Sequence, residues 1–228
     1  MIDIKPKMLL LKVSQSNIDK YASVLSSAMD KNGINTENRV NFFLSQIAHE
    51  SNNFQATKEN MNYSAAQMVK TWPNLFRDIN IAKRYVKKPV ELANYVYGNR
   101  MGNNGTSDGS KYLGRGLVGT TGKEQYAKTG SRLGIDLINK PELLETPLYA
   151  ALSAVDFWMQ KNLNLISDTG NYEKVTKSIN GGLIGIGDRM MKLKSLQGVK
   201  NNPITSIAIT VIFFSIFAYA IMHNKQIV

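Results

Sequence analysis

Apolar positions in the first half of the chain recur with the period of a helix. In residues 16 to 30, Ile18, Tyr21, Val24, Leu25 and Met29 fall on one face, with Ser16 as the expected N-cap and Gly33 beyond the end. A second helix is predicted from a Thr36 cap through "ENRVNFFLSQIAHE", where Val40, Phe43, Leu44 and Ile47 keep the same spacing. It should stop at Glu50, because Ser51, Asn52 and Asn53 are turn formers. "SAAQMVKTW" opens with the capping-box pair Ser64 and Gln67 and predicts a short helix ending near Trp72. Another is predicted to begin at Pro89 and end before Gly98.

The glycine-rich stretch from Gly98 to Gly122 is incompatible with regular helix and predicts loops with a small hairpin. Helical patterns resume in "EQYAKTGSRLG", "PLYAALSAVDFWMQKN" and "YEKVTKSIN", followed past "GGLIGIG" by the basic "DRMMKLKSLQ". Near the C-terminus the period disappears. Residues 204–222, "ITSIAITVIFFSIFAYAIM", carry no Asp, Glu, Lys or Arg and match the roughly 20 residues of a membrane-spanning helix. The expected organisation is therefore a domain over 1–198, a linker over 199–203, a transmembrane anchor over 204–222 and a tail over 223–228. The flanking Lys200 and Lys225 fit interfacial anchors.

Composition narrows the chemistry. The 228 residues include no cysteine, which removes disulfides, thiolate metal sites and a thiol nucleophile. The two histidines, His49 and His223, lie far apart, and "HESNN" lacks the second histidine of a zinc-protease motif, so no metal or other cofactor is expected. "GRG" lacks the flanking pattern of a phosphate loop. A formal charge of +11 points to an anionic partner: nucleic acid, a lipid surface or an acidic cell wall.

What remains is carboxylate chemistry. Glu50 and Glu59 are nine positions apart, and one continuous helix would send them to opposite faces. A break at the Asn pair lets Glu59 turn back towards Glu50. A helix end among apolar neighbours suits Glu50 to proton donation.

Four pieces now occur in order: "AHES", "KENMNYS", "YLGRGLVGTTGKEQY", and "VTKSINGG" followed by "GDR". Together they resemble the family 19 glycoside hydrolases, in particular the lysozyme-like branch of bacteriophage endolysins, over roughly residues 36 to 197. The resemblance implies a mainly α, two-lobed lysozyme-like fold with a small β/loop region, and an inverting two-carboxylate mechanism. In it Glu50 matches the general acid and Glu59 the acid that activates water. Thr121 matches a water-holding hydroxyl, Asn180 a substrate-binding asparagine and Arg189 an arginine of the charge network, while Tyr63 lines the cleft. Two positions depart from the pattern. Gly119 replaces a glutamine that contacts sugar, and Gln125 stands where asparagine is usual.

The resemblance implies peptidoglycan glycan strands as partner, rather than nucleic acid. With the expected anchor it implies a membrane-held bacteriophage enzyme, in a virion or host inner membrane beside capsid or membrane proteins, acting at entry or lysis. Rival expectations are a chitinase and a wall-binding virion protein without turnover.

Overall fold

A computed structural model describes residues 2–198. The elements, in chain order, are α1 (Lys5–Leu10), α2 (Gln15–Lys31), α3 (Glu37–Glu50), α4 (Ala65–Thr71), α5 (Ile79–Lys83), α6 (Pro89–Tyr97), α7 (Asp108–Lys111) and α8 (Lys123–Leu133). A 3-10 turn (Pro141–Glu145) leads into α9 (Pro147–Gln160), α10 (Leu163–Asp168), α11 (Tyr172–Asn180) and α12 (Ile186–Gln197). One compact unit, Met1–Leu196, contains the site described below.

The expected helices are present, with local adjustments. The cap of α2 is Ser14 rather than Ser16; its hydroxyl accepts from the Asn17 amide. The capping box of α4 forms in both directions between Ser64 and Gln67. The glycine-rich stretch holds one helical turn, α7, and its β character is confined to isolated bridges, Lys58 with Arg115 and Arg115 with Thr120. Those bridges matter, because they tie the chain after α3 to the glycine-rich loop.

Helix α3 is more than amphipathic. Every residue from Asn41 to Ala48 is buried, so the helix runs through the core and not along its edge. Phe43, Leu44 and Ile47 pack there with Leu25, Val155 and Trp158, each such side chain contributing roughly 1.5–3 kcal/mol of transfer free energy. Its buried polar side chains are all paired: Asn41 with Lys7 and Glu37, Ser45 with the Tyr172 hydroxyl, and Gln46 with Thr176. A separate apolar cluster joins α4, α5 and α6 through Met68, Ala82, Leu92 and Val96, with Phe76 from the segment between α4 and α5. A third gathers Tyr112, Tyr126, Leu137 and Leu144. Buried helix ends and loops, anchored by distinct cores, are what a cleft requires.

The expected transmembrane helix is corrected. Among the described residues no helix is long and apolar enough to cross a membrane, and residues 204–222 lie outside the described residues. The fold supported over the described residues is mainly helical, with no helix among them that could span a membrane, so neither the single-pass anchor nor the membrane location inferred from it is supported.

Candidate active site

Glu50 is the last residue of α3, as the pattern predicts. The helix is stopped by an unusual device: Asn52, Asn53 and Phe54 in succession have φ of 49°, 54° and 64°. Asparagine tolerates this left-handed region; phenylalanine does so only under external constraint. The constraint is visible. Phe54 is 1% exposed, packs against the Tyr21 ring at a tilt, and donates its amide to the Ser51 hydroxyl. The turn redirects the chain so that the Glu59 amide donates to the Gly114 carbonyl at 2.8 Å and the Gly116 amide to Thr57 at 3.0 Å.

Glu50 and Glu59 consequently open on one cavity of about 350 Å³, together with Tyr97, Gly114, Gly119 and Thr121. Their partners differ in kind. Arg189 Nη2 donates to Glu50 Oε1 at 2.5 Å, and the arginine as a whole is 2% exposed. Its other nitrogens donate to Gln46 Oε1 and to the Ile184 carbonyl, so it is fixed on three sides. Glu50 therefore faces a compensating charge that a reading of apolar neighbours alone does not supply. His49, one residue earlier, places Nδ1 2.6 Å from Asp188 Oδ2, and Asp188 also meets Lys192. Burial pushes the Asp188 carboxyl up, but hydrogen bonds from His49 and Lys192 outweigh it and hold it below the usual carboxylate range.

Glu59 has a neutral partner. The Tyr97 hydroxyl donates to Glu59 Oε1 at 2.6 Å. Burial, and then the carboxylate itself, push the Tyr97 phenol far up, so it stays a donor throughout the neutral range. A Cβ built on Gly114 would lie 3.2 Å from Thr121 Oγ1 and 3.3 Å from Glu59 Oε2, so both oxygens lie close against that glycine, whose amide donates to Glu59 Oε2 at 3.4 Å. The hydroxyl of Thr121 donates to the Gly119 carbonyl at 2.7 Å, leaving its lone pairs to accept from a water.

The other expected site residues are more dispersed. Tyr63 packs against Trp72 in a tilted ring pair and is close enough to Glu59 that, after burial, that carboxylate helps raise its phenol. Gln125 lies in an adjoining groove, with its amide on Thr129, and does not line the glutamate cavity. Asn180 lines neither; it accepts from the Gly182 amide and donates to the Ile184 carbonyl, bracing the loop before α12. Tyr97 and Gln46 were not anticipated. Gln46 sits one helical turn before Glu50 on α3, a spacing that could have signalled it. Nothing in "NYVYG" singles out Tyr97. Among the described residues no cluster of His, Asp and Glu could hold a metal ion.

Comparison with known proteins decides the family. A family model described as glycoside hydrolase 19, chitinase class I, matches residues 17–171. A "Glycosyl hydrolase family 19 domain-containing protein" of Haemophilus influenzae is 36% identical over 203 residues, 86% of this chain and 99% of that one. The chain belongs to glycoside hydrolase family 19. Its mainly helical fold is shared with chitinase C from Streptomyces griseus, at a TM-score of 0.56 and 18% identity over 84% of this chain and 74% of that one. It is also shared with a class IV chitinase from Zea mays, at 0.54 and 15% over 86% and 90%.

Within this family-19 fold, the Gly119 departure has a physical consequence. Gly119 has φ of 65°, and a Cβ there would meet nothing within 4 Å. It lines both the glutamate cavity and the groove that holds Gln125, so the wall between them is open at this position.

Proposed function

We propose that this family 19 protein hydrolyses the glycan strands of peptidoglycan between their amino sugars, as a lysozyme-type enzyme, with inversion at the anomeric carbon. The observation that carries the reading is that Glu50 and Glu59 reach one cavity from separate local structures, one beside a fixed cation and the other beside a neutral donor.

In this mechanism Glu50 protonates the glycosidic oxygen. As its proton leaves, negative charge develops on the carboxylate facing Arg189, where a preorganised guanidinium stabilises it. Glu59 takes a proton from water on the opposite face of the sugar, with Tyr97 holding its other oxygen and Thr121 accepting from the same water. Neither step calls on a cofactor.

The peptidoglycan assignment is supported by the lysozyme-like order of motifs and by the charge of +11, which favours an acidic wall polymer. Chitin is the second reading, favoured by the family model's description and by the solved chitinases that share the fold. Purified peptidoglycan and chitin oligomers, assayed side by side with mass analysis of products, separate the two. The expected result is hydrolysed glycan from peptidoglycan, without anhydro ends, and its loss in Glu50→Gln with the helical spectrum unchanged. Full activity in Glu50→Gln would remove the mechanism, and cleavage of chitin alone would remove the substrate.

A further inference from the structure

Arg115 does not line the glutamate cavity, although the glycines on either side of it do. Its side chain is 7% exposed and tied down on three acceptors. Nε donates to Glu145 Oε1 at 2.6 Å, and Nη1 to the Lys111 carbonyl at 2.7 Å and the Tyr126 hydroxyl at 3.0 Å. Tyr126, itself fully buried, donates its own proton to the Leu113 carbonyl at 2.6 Å. A planar guanidinium held in this way has little freedom to turn. The backbone of Arg115 is bridged twice, to Lys58 and to Thr120. Around the first bridge the Glu59 amide donates to the Gly114 carbonyl at 2.8 Å and the Gly116 amide to the Thr57 carbonyl at 3.0 Å. Across the second, the Arg115 amide donates to the Thr120 carbonyl at 3.0 Å and the Thr120 amide to the Arg115 carbonyl at 2.8 Å. Glu59 and Thr121, the residues assigned to the water, are each the next residue after one of these bridge partners. Neither stands on a helix, because α3 ends at Glu50, α4 starts at Ala65 and α8 starts at Lys123. Glu145 Oε1 is also 3.4 Å from Lys58 Nζ, so one carboxylate ties the side chains of both residues of the first bridge to the turn before α9.

We propose that Arg115, clamped by Glu145, is a positioning residue that sets the spacing between Glu59 and Thr121; the proposal rests on the two-carboxylate hydrolysis above and holds for either glycan. Water attacking the anomeric carbon must meet Glu59 and Thr121 together, and a misplacement of about 1 Å can cost about a hundredfold in rate. Loops joined by isolated bridges shift by that much unless a side chain locks them. Arg115 is that lock, since its backbone carries both bridges and its side chain is fixed to three other parts of the fold. Loosening it acts on the water, and so on kcat, while the sugar contacts that set KM stay in place. A buried ion pair serving stability alone would have no link to Thr121.

The test measures reducing-sugar release by variants of the full chain, each assayed well below its own unfolding temperature. Glu145→Ala should lower kcat about tenfold with KM within about twofold. Glu142→Ala, the same change at an exposed position of the same 3-10 turn, should leave both constants within about twofold of the unmodified protein. Coupling is the deciding readout. Added to Thr121→Val, Glu145→Ala should cost less than about threefold, because the spacing it disturbs has already lost one end. Arg115→Met should show the same coupling, and Glu145→Ala carries the test where the methionine variant does not fold. An equal loss with and without Thr121 assigns the Arg115 clamp to stability alone and overturns the proposal, as does a rise in KM at constant kcat. Failure of the unmodified protein to hydrolyse peptidoglycan and chitin alike, seen before any variant is made, overturns the hydrolysis reading itself and this proposal with it.

Discussion

Arg189 and Glu50 are 139 positions apart in the chain, yet the guanidinium donates to the carboxylate at 2.5 Å. The pairing is one-sided in burial: the arginine side chain is 3% exposed and the glutamate 28%. A buried guanidinium gains most from fixed partners, and Gln46 and the Ile184 carbonyl supply them. Arg189 thus holds α12 against α3 while presenting one charged edge to the cavity.

Replacing Arg189 separates these two roles. Arg189→Met should destabilise the protein by about 1–3 kcal/mol, because Gln46 and Glu50 lose a charged donor, and should lower glycan hydrolysis at least about a hundredfold. Arg189→Lys keeps the charge without the fork, so urea unfolding should show partial recovery while activity stays low. Full activity in the lysine variant would show that charge alone suffices at Glu50.

Much of this arrangement was legible in the sequence, for identifiable reasons. The end of α3 at Glu50 follows from apolar spacing and the Asn pair, and α6 runs from Pro89 to Tyr97 as its proline and glycine punctuation predicts. Local pattern could not reveal that Tyr97, at the end of α6, reaches across 38 positions to Glu59. Nor could it show that Asn180 spends both ends of its amide on its own loop, or that Gln125 faces the neighbouring groove. The short helices α5, α7 and α10 span too few residues for a helical period to register. Those facts depend on which loops fold against one another, and the information for that is spread over the whole core.

The contact between His49 and Asp188 makes stability depend on acidity. The folded Asp188 carboxyl titrates below its unfolded value, so its contribution is complete above about pH 4 and disappears as pH falls through the lower, folded value. Asp188→Asn should therefore have a lower Tm than the unmodified protein at pH 6, and the difference should close towards pH 2. Thermal unfolding followed by circular dichroism across that range measures it. A constant difference at every pH would mean that the carboxylate charge is not what ties α12 to His49.

In the mechanism proposed above, Thr121 and Tyr97 serve the Glu59 side of the site in different ways. Tyr97 donates to the carboxylate, and burial and then that carboxylate push its phenol far up, so its contribution should not vary across the neutral range. In the proposed mechanism Thr121 acts on the water: its hydroxyl proton is committed to the Gly119 carbonyl, which leaves only acceptor capacity for the nucleophile. Thr121→Val keeps the shape and removes that acceptor. It should lower kcat by about tenfold to a hundredfold with little change in KM, because the water is held for the transition state and contributes little to binding the glycan. Thr121→Ser retains the oxygen and should recover most of the rate. Initial rates of reducing-sugar release over a range of glycan concentrations distinguish these outcomes. A valine variant that raises KM at constant kcat would place Thr121 against the sugar, leaving Glu59 to orient the water with Tyr97 alone.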